Sequence, residues 1–291
     1  MKIKCIWNGQ DQLGEGPLWH PIEKVLYWVD IVKPAIHRLD PKTNQHQSWP
    51  MPSEIGCIAW CDKNKLIGAF RHGFGLIDLP SGQVTLINEP IKNRTDVMFN
   101  DGKCDRKGRF WAGTKDVQEE LPLGSLYCLD NNNICHEMTK GFTVSNGIAW
   151  NLANTRLYVC DSPARKIYFY DFDFNTGKIG QQQVFTTIPS DAGYPDGLTV
   201  DSEDHIWSAH WDGWRITRYT PTGKIDRAIE MPVQRPTSCC FGGENLDTLY
   251  ITSARVRLSE HELAEQPQAG NLFAIDVGTR GLAEPACLIE Q

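Results

Sequence analysis

Short runs rich in aromatic and β-branched residues, each preceded by a polar turn, recur along the whole chain. Six of them align: Val25-Leu26-Tyr27-Trp28-Val29-Asp30, Lys65-Leu66-Ile67-Gly68-Ala69-Phe70, Arg109-Phe110-Trp111-Ala112-Gly113-Thr114, Arg156-Leu157-Tyr158-Val159-Cys160-Asp161, His205-Ile206-Trp207-Ser208-Ala209-His210 and Thr248-Leu249-Tyr250-Ile251-Thr252-Ser253. Such residues fit the pleated surface of a sheet, and turns such as Asp105-Arg106-Lys107-Gly108 and Asp201-Ser202-Glu203-Asp204 punctuate them. A further apolar run follows each copy, from residues 35–39 in the first to 271–275 in the last. Turns such as Pro80-Ser81-Gly82, Asn175-Thr176-Gly177 and Pro221-Thr222-Gly223 close these hairpins. A weaker outer run, for example Gln183-Val184-Phe185 or Ala228-Ile229-Glu230, completes most copies.

Ahead of each copy lies an element with its own grammar, a polar residue set before a Gly and then a short apolar strand. It reads Gly14-Glu15-Gly16-Pro17-Leu18, Glu54-Ile55-Gly56-Cys57-Ile58, Asn100-Asp101-Gly102-Lys103-Cys104, Ser145-Asn146-Gly147-Ile148-Ala149 and Tyr194-Pro195-Asp196-Gly197-Leu198, with a degenerate sixth copy at Pro236-Thr237-Ser238-Cys239. The residue before the Gly falls at 15, 55, 101, 146, 196 and near 237, giving spacings of 40, 46, 45, 50 and 41. A period of this size repeated six times predicts an all-β, six-bladed β-propeller with four antiparallel strands per blade, residues 1–291 forming one domain. Either residues 3–7 or 287–290 must supply the outer strand of the last blade, and the N-terminal segment is the favoured choice.

Strand direction then places the loops. If the polar positions start each inner strand at the top of the channel, the second strand climbs back, and the connector after it lies on the same face. Those connectors are 31–34, 71–74, 115–123, 162–165, 211–214 and the long 254–270. The last contains Leu258-Ser259-Glu260-His261-Glu262-Leu263-Ala264-Glu265, expected to form one or two helical turns and to be a candidate lid.

Hydrophobic residues at 41% and charged residues at 22% of 291 positions describe an ordinary globular chain. A net charge of −7 argues against nucleic acid or an anionic membrane as partner, since both call for basic surface. No run approaches the roughly 20 apolar residues that span a bilayer, and residues 1–7 are too short and polar for a signal peptide, so the expected location is cytoplasmic. The ten cysteines include no Cys-x-x-Cys pair, and Cys57, Cys104, Cys160 and Cys239 fall inside predicted strands, where a reduced Cys behaves as a small hydrophobe.

Three ring positions, Glu15, Asn146 and Asp196, carry oxygen side chains that converge on the channel. Two carboxylates and an amide oxygen repel one another without a cation, and oxygen ligands suit Ca²⁺, Mg²⁺ or Mn²⁺ while tolerating Zn²⁺ or Fe²⁺. Three protein ligands leave coordination positions for water and substrate. Asp, Asn and Glu are also common turn formers, but three in one register point to a metal. Asn100 and Asp101 are candidates for contact with a polar ligand. His210, Trp211 and Trp214 form a candidate stacking platform, and Gln118, Glu119 and Glu120 lie on another top connector. There is no Gly-x-Ser-x-Gly elbow and no phosphate-cradling Gly loop.

With Leu13-Gly14-Glu15-Gly16-Pro17-Leu18-Trp19, Phe99-Asn100-Asp101-Gly102-Lys103, Ser145-Asn146-Gly147, Tyr194-Pro195-Asp196-Gly197 and Ser238-Cys239-Cys240-Phe241-Gly242-Gly243, the sequence resembles the regucalcin (senescence marker protein)/gluconolactonase family from first blade to last. The resemblance implies a six-bladed propeller that hydrolyses sugar lactones with one divalent metal ion (Ca, Zn, Mn, Mg or Fe) held by Glu15, Asn146 and Asp196. It further implies that Asp196 serves as acid/base and that Asn100 touches the lactone. Where the family often has Arg two residues before this Asn, the chain has Met98, so a cationic contact is lost. The family's acidic substrate-contacting residue after Gly113-Thr114 falls at Gln118 or Glu119. The expected substrate is a glucono-, xylono- or arabinono-lactone, handled by a monomer or weak homo-oligomer. A non-catalytic calcium-binding propeller, or a phosphotriester or aryl-ester hydrolase on the same metal site, are the alternatives.

Overall fold

The computed structural model describes residues 2–289. Its strands group into six four-stranded antiparallel sheets, the predicted six-bladed propeller. Blade 1 holds β2–β5 (Gly14–His20, Val25–Asp30, Ala35–Leu39, His46–Pro50) and blade 2 holds β6–β9 (Ile55–Asp62, Lys65–Phe70, Gly73–Asp78, Gln83–Asn88). Blade 3 holds β10–β13 (Val97–Cys104, Phe110–Asp116, Gly124–Leu129, Cys135–Phe142) and blade 4 holds β14–β17 (Ser145–Trp150, Arg156–Asp161, Lys166–Asp171, Gln183–Thr187). Blade 5 holds β18–β21 (Tyr194–Val200, Ile206–Trp211, Arg215–Tyr219, Ile225–Glu230), and blade 6 holds β22–β24 (Pro236–Gly242, Thr248–Ser253, Leu272–Asp276).

The fourth strand of blade 6 is β1 (Lys4–Trp7), which pairs antiparallel with β24 through Lys4↔Ala274 and Cys5↔Phe273. The N-terminal segment therefore closes the ring, as expected. The C-terminal segment instead crosses the lower end of the channel. There Trp60 Nε1 donates to Glu284 O at 2.9 Å, Cys287 N donates to Trp60 O at 2.7 Å, and Lys103 Nζ meets Glu284 Oε1 at 2.9 Å.

Burial falls from the channel outward. Inner strands such as β14 and β22 are buried along their whole length, because neighbouring blades pack on both of their faces. Outer strands β13 and β21 alternate exposed with half-buried positions and carry charged residues such as Lys140 and Arg227, which discourages pairing with another chain. The apolar core lies between blades; Leu18, Val29 and Ile36 of blade 1 pack with Ile55, Ile58 and Leu66 of blade 2.

Two of the polar turns that precede the second strands, in blades 3 and 5, share one internal bonding. Asp105 Oδ1 accepts from Lys107 N at 2.8 Å and Arg109 N at 3.2 Å, while Oδ2 accepts from Trp111 Nε1 at 2.9 Å. Asp201 repeats this with Glu203 N at 2.9 Å, His205 N at 3.1 Å and Trp207 Nε1 at 2.8 Å. In each case one carboxylate closes the turn and anchors the aromatic core residue of the next strand. All ten cysteines are free thiols. Among the described residues no helix is long and apolar enough to cross a membrane.

Candidate active site

Every inner strand is irregular at the same place. The pairing register slips between Glu15 and Leu18, Ile55 and Cys57, Phe99 and Gly102, Asn146 and Ile148, Pro195 and Leu198, and Pro236 and Cys239. An extra residue in a ladder bends the strand and re-aims its side chains, so six bulges turn the ring residues toward the channel. The recurring Gly follows from crowding there. A Cβ on Gly147, at φ +47°, would stand 2.4 Å from Asp196 O, and one on Gly56 would stand 2.0 Å from Asn100 O.

Above the ring opens a cavity of about 590 Å³. Glu15, Asn100, Asn146 and Asp196 all line it. Asn100 Nδ2 donates to Asn146 Oδ1 at 3.2 Å and to Ser145 O at 3.1 Å, and Asn146 Nδ2 donates to Ser162 Oγ at 3.1 Å. Ser162 in turn donates to Pro195 O at 2.7 Å. Glu15 Oε2 accepts from Gly16 N at 2.9 Å. Asp196 Oδ1 is buried with no hydrogen-bond partner.

Burial pushes the Glu15 carboxyl up to about 8, and the charge of Asp101 adds to the effect. Burial, with Glu15 and Asp101 beside it, raises Asp196 well above the usual carboxylate range. The two are close enough for one, when protonated, to hydrogen-bond the other. Two carboxyls held away from their charged forms, one with an orphaned oxygen, beside an amide oxygen whose Nδ2 is already engaged, are a donor set that a divalent cation would complete. Among the described residues no group of three or more His, Cys, Asp or Glu is disposed to hold a metal. The third oxygen of this ring comes from an amide.

The cavity wall adds residues that the sequence did not single out. Lys115 and Arg257 meet Glu119 from two sides, Lys115 Nζ–Oε1 and Arg257 Nη1–Oε2 both at 2.8 Å. Burial alone would raise Glu119, but Lys115 and Arg257 outweigh it and hold the carboxyl below its ordinary value. The remaining wall is largely apolar, with Leu13, Ile31, Met98, Val144 and Trp211.

Two expected contacts lie elsewhere. Asp101 points beneath the ring, where Oδ1 accepts from Gly102 N at 2.7 Å and Oδ2 from Gly147 N at 2.9 Å, and it borders a narrow space shared with Lys103 and Glu284. Adjacent residues of a bulged strand face different ways, so Asn100 goes up and Asp101 goes down. His210 is 1% exposed and does not line the cavity. Its Nδ1 bonds Ala192 O at 2.7 Å and its Nε2 lies 3.3 Å from Tyr219 Oη. Burial in that setting lowers it to about 4. Strand alternation gives the cavity to Trp211 instead. Gln118 and Glu120 are exposed and off the lining, as is Trp214, while Glu119 is on it. Lys115 had a legible signal, since it follows Gly113-Thr114 at the top of a second strand.

The model of the SMP-30/Gluconolactonase/LRE-like region matches residues 13–255. The chain is 37% identical over 284 residues to the 6-deoxy-6-sulfogluconolactonase of Pseudomonas putida, covering 97% of each. It is 34% identical to the pentonolactonase of Haloferax volcanii, covering 98% of this chain and 97% of that one. The crystal structure of a calcium-binding protein, regucalcin, from Agrobacterium tumefaciens superposes with a TM-score of 0.94 over 97% of this chain and 96% of the other, at 26% identity.

Proposed function

The chain belongs to the SMP-30/gluconolactonase/LRE-like family, and as a lactone-hydrolysing member of it we propose that it opens an aldonolactone to the aldonic acid on a divalent cation held by Glu15, Asn146 and Asp196. The observation that carries this is the ring itself. Two buried carboxyls and an oriented amide oxygen form the floor of a cavity large enough for a sugar.

Bound there, the cation supplies Lewis acidity to the lactone carbonyl. Asn100 fixes the direction of Asn146 with its Nδ2 hydrogens and, lining the same floor, offers Oδ1 to accept from a hydroxyl of the substrate. Asp196, one of the residues that would hold the cation, takes a proton from the water that attacks the carbonyl carbon. As the C–O bond to the ring oxygen breaks, a proton passes to that oxygen and leaves it as a hydroxyl. Glu119, on the wall and ionised between Lys115 and Arg257, accepts from a substrate hydroxyl. His210 and Asp101 have no part in this scheme. Their side chains shape β19 and β10 from within.

A calcium-binding role without chemistry would use the same three ligands, and the Agrobacterium structure bears that name. The wall of Lys115, Glu119 and Trp211 above the ring favours a substrate. The test is lactone opening by purified protein, stripped with chelator and titrated with Mn²⁺, Zn²⁺, Ca²⁺, Mg²⁺ and Fe²⁺. Turnover in the absence of any partner protein supports the hydrolase; tight cation binding with no turnover on any pentono- or hexonolactone supports the binding protein.

A further inference from the structure

Resting on the lactonase reading, one residue of the wall takes a role that neither the ring nor the motifs assign. Lys115 stands at the upper end of β11, its side chain 14% exposed, and lines the cavity. Its partner across the ladder is Met98, which lines the same cavity from β10. An apolar and a cationic side chain thus stand directly opposite each other on neighbouring strands at the cavity wall.

Among the described residues the only cations on the lining are Lys115 and Arg257. Arg257 is 63% exposed at the mouth, so Lys115 is the one that stands near the ring. Its ammonium is held by Glu119, itself held by Arg257, so donor and acceptor are fixed side by side. An ammonium offers three hydrogens and a carboxylate two oxygens, and their mutual contact consumes only part of either.

We propose that Lys115 and Glu119 form a donor–acceptor pair that recognises neighbouring hydroxyls of a polyhydroxy lactone, with Lys115 orienting the substrate over Glu15 and Asp196. Of the other carboxylates on the lining, Glu54 is paired with Arg71 at 2.7 Å and Asp212 with Arg235 at 2.6 Å, which leaves Glu119 as the acceptor beside Lys115.

The test separates binding from turnover. Manganese-loaded wild type, Lys115→Met and Lys115→Arg are titrated by calorimetry with 1,5-anhydro-D-glucitol, a neutral polyol with no ester to open. Manganese affinity and lactone kinetics are measured beside it. The expected result for Lys115→Met is polyol binding and KM each weakened about tenfold, with kcat and manganese affinity within about threefold of wild type, and most of the loss recovered by Lys115→Arg. Polyol affinity and KM unchanged in Lys115→Met would overturn the assignment, as would absence of polyol binding in wild type. A parallel fall in manganese affinity would also overturn it, by making Lys115 a partner of the ring alone. Lys115-dependent polyol binding in a protein that opens no lactone would sink the lactonase reading and leave the pair standing.

Discussion

Asn100 Nδ2 donates to Asn146 Oδ1 across 3.2 Å, tying β10 of blade 3 to β14 of blade 4 at the floor of the cavity. With Ser162 holding Asn146 Nδ2, both ends of that amide are fixed, and its oxygen faces the ring in one orientation. Partners that orient a ligand typically change metal affinity about 10–100-fold when removed. Asn100→Ala and Ser162→Ala are therefore each expected to weaken cation binding about tenfold in a calorimetric titration. Unchanged affinity in both would remove Asn146 from the ligand set.

Glu15 supplies a pH dependence with a definite sign. Burial, then the charge of Asp101, lifts its carboxyl from 4.5 to about 8 in the cation-free protein. The unfolded chain releases this proton near 4.5 while the folded chain keeps it to about 8. The group's contribution to stability is thus complete below pH 4.5 and is lost as pH climbs toward about 8. Asp196 and Asp101, both raised chiefly by burial, act in the same direction. Chelated wild type should therefore lose thermal stability across this range, and Glu15→Gln should flatten the loss. A chain of this size gains roughly 2–4 °C for each kcal/mol recovered at alkaline pH. Equal slopes for the two proteins would contradict a buried, protonated Glu15.

At the other end of the channel, Lys103 depends on Glu284. The pair is 2.9 Å apart with side chains 21% and 13% exposed, and Lys103 Nζ also donates to Leu198 O at 3.1 Å. Glu284→Ala leaves a largely buried ammonium without its counter-charge, which costs about 3 kcal/mol. A lowered urea midpoint with cation affinity unchanged is the expected outcome; no change in midpoint would mean that the C-terminal segment does not seal the channel.

The repeat was legible in part because blades 3 and 5 re-use one bonding scheme. Asp105 and Asp201 need the same turn spacing and the same Trp partner, and that constraint is written directly in the residues. The closing strand could be anticipated as well, since a ring must borrow one from a terminus. Side-chain direction was less accessible. Asp101 and Asn100 are neighbours in one motif, yet the bulge between Phe99 and Gly102 sends them to opposite sides of the ring. His210 looked available as the end of a second strand, but alternation hands the cavity to Trp211 and spends His210 on Ala192. Lys115 and Glu119 lie four residues apart in one polar stretch, and only the turn between them brings the two charges to 2.8 Å on the cavity wall.

Thiol reactivity offers an independent check on the packing. Of the ten cysteines, Cys5 alone is exposed, Cys61 and Cys135 are half-buried, and the remaining seven are buried. A disulfide exchange reagent should therefore titrate one thiol quickly in the native protein and all ten after denaturation. Rapid reaction of several thiols in the native state would mean that the blades are packed less closely than described.

The central claim is that Glu15, Asn146 and Asp196 hold a divalent cation on which a lactone is opened. Its most direct test is the rate of aldonolactone opening, followed by a pH indicator with spontaneous hydrolysis subtracted, in chelator-stripped wild type and in Asp196→Asn as each divalent cation is added back. The account predicts turnover that returns with cation in wild type, and in Asp196→Asn a loss of at least about 100-fold. Full turnover in stripped protein, or in Asp196→Asn at saturating cation, would contradict it.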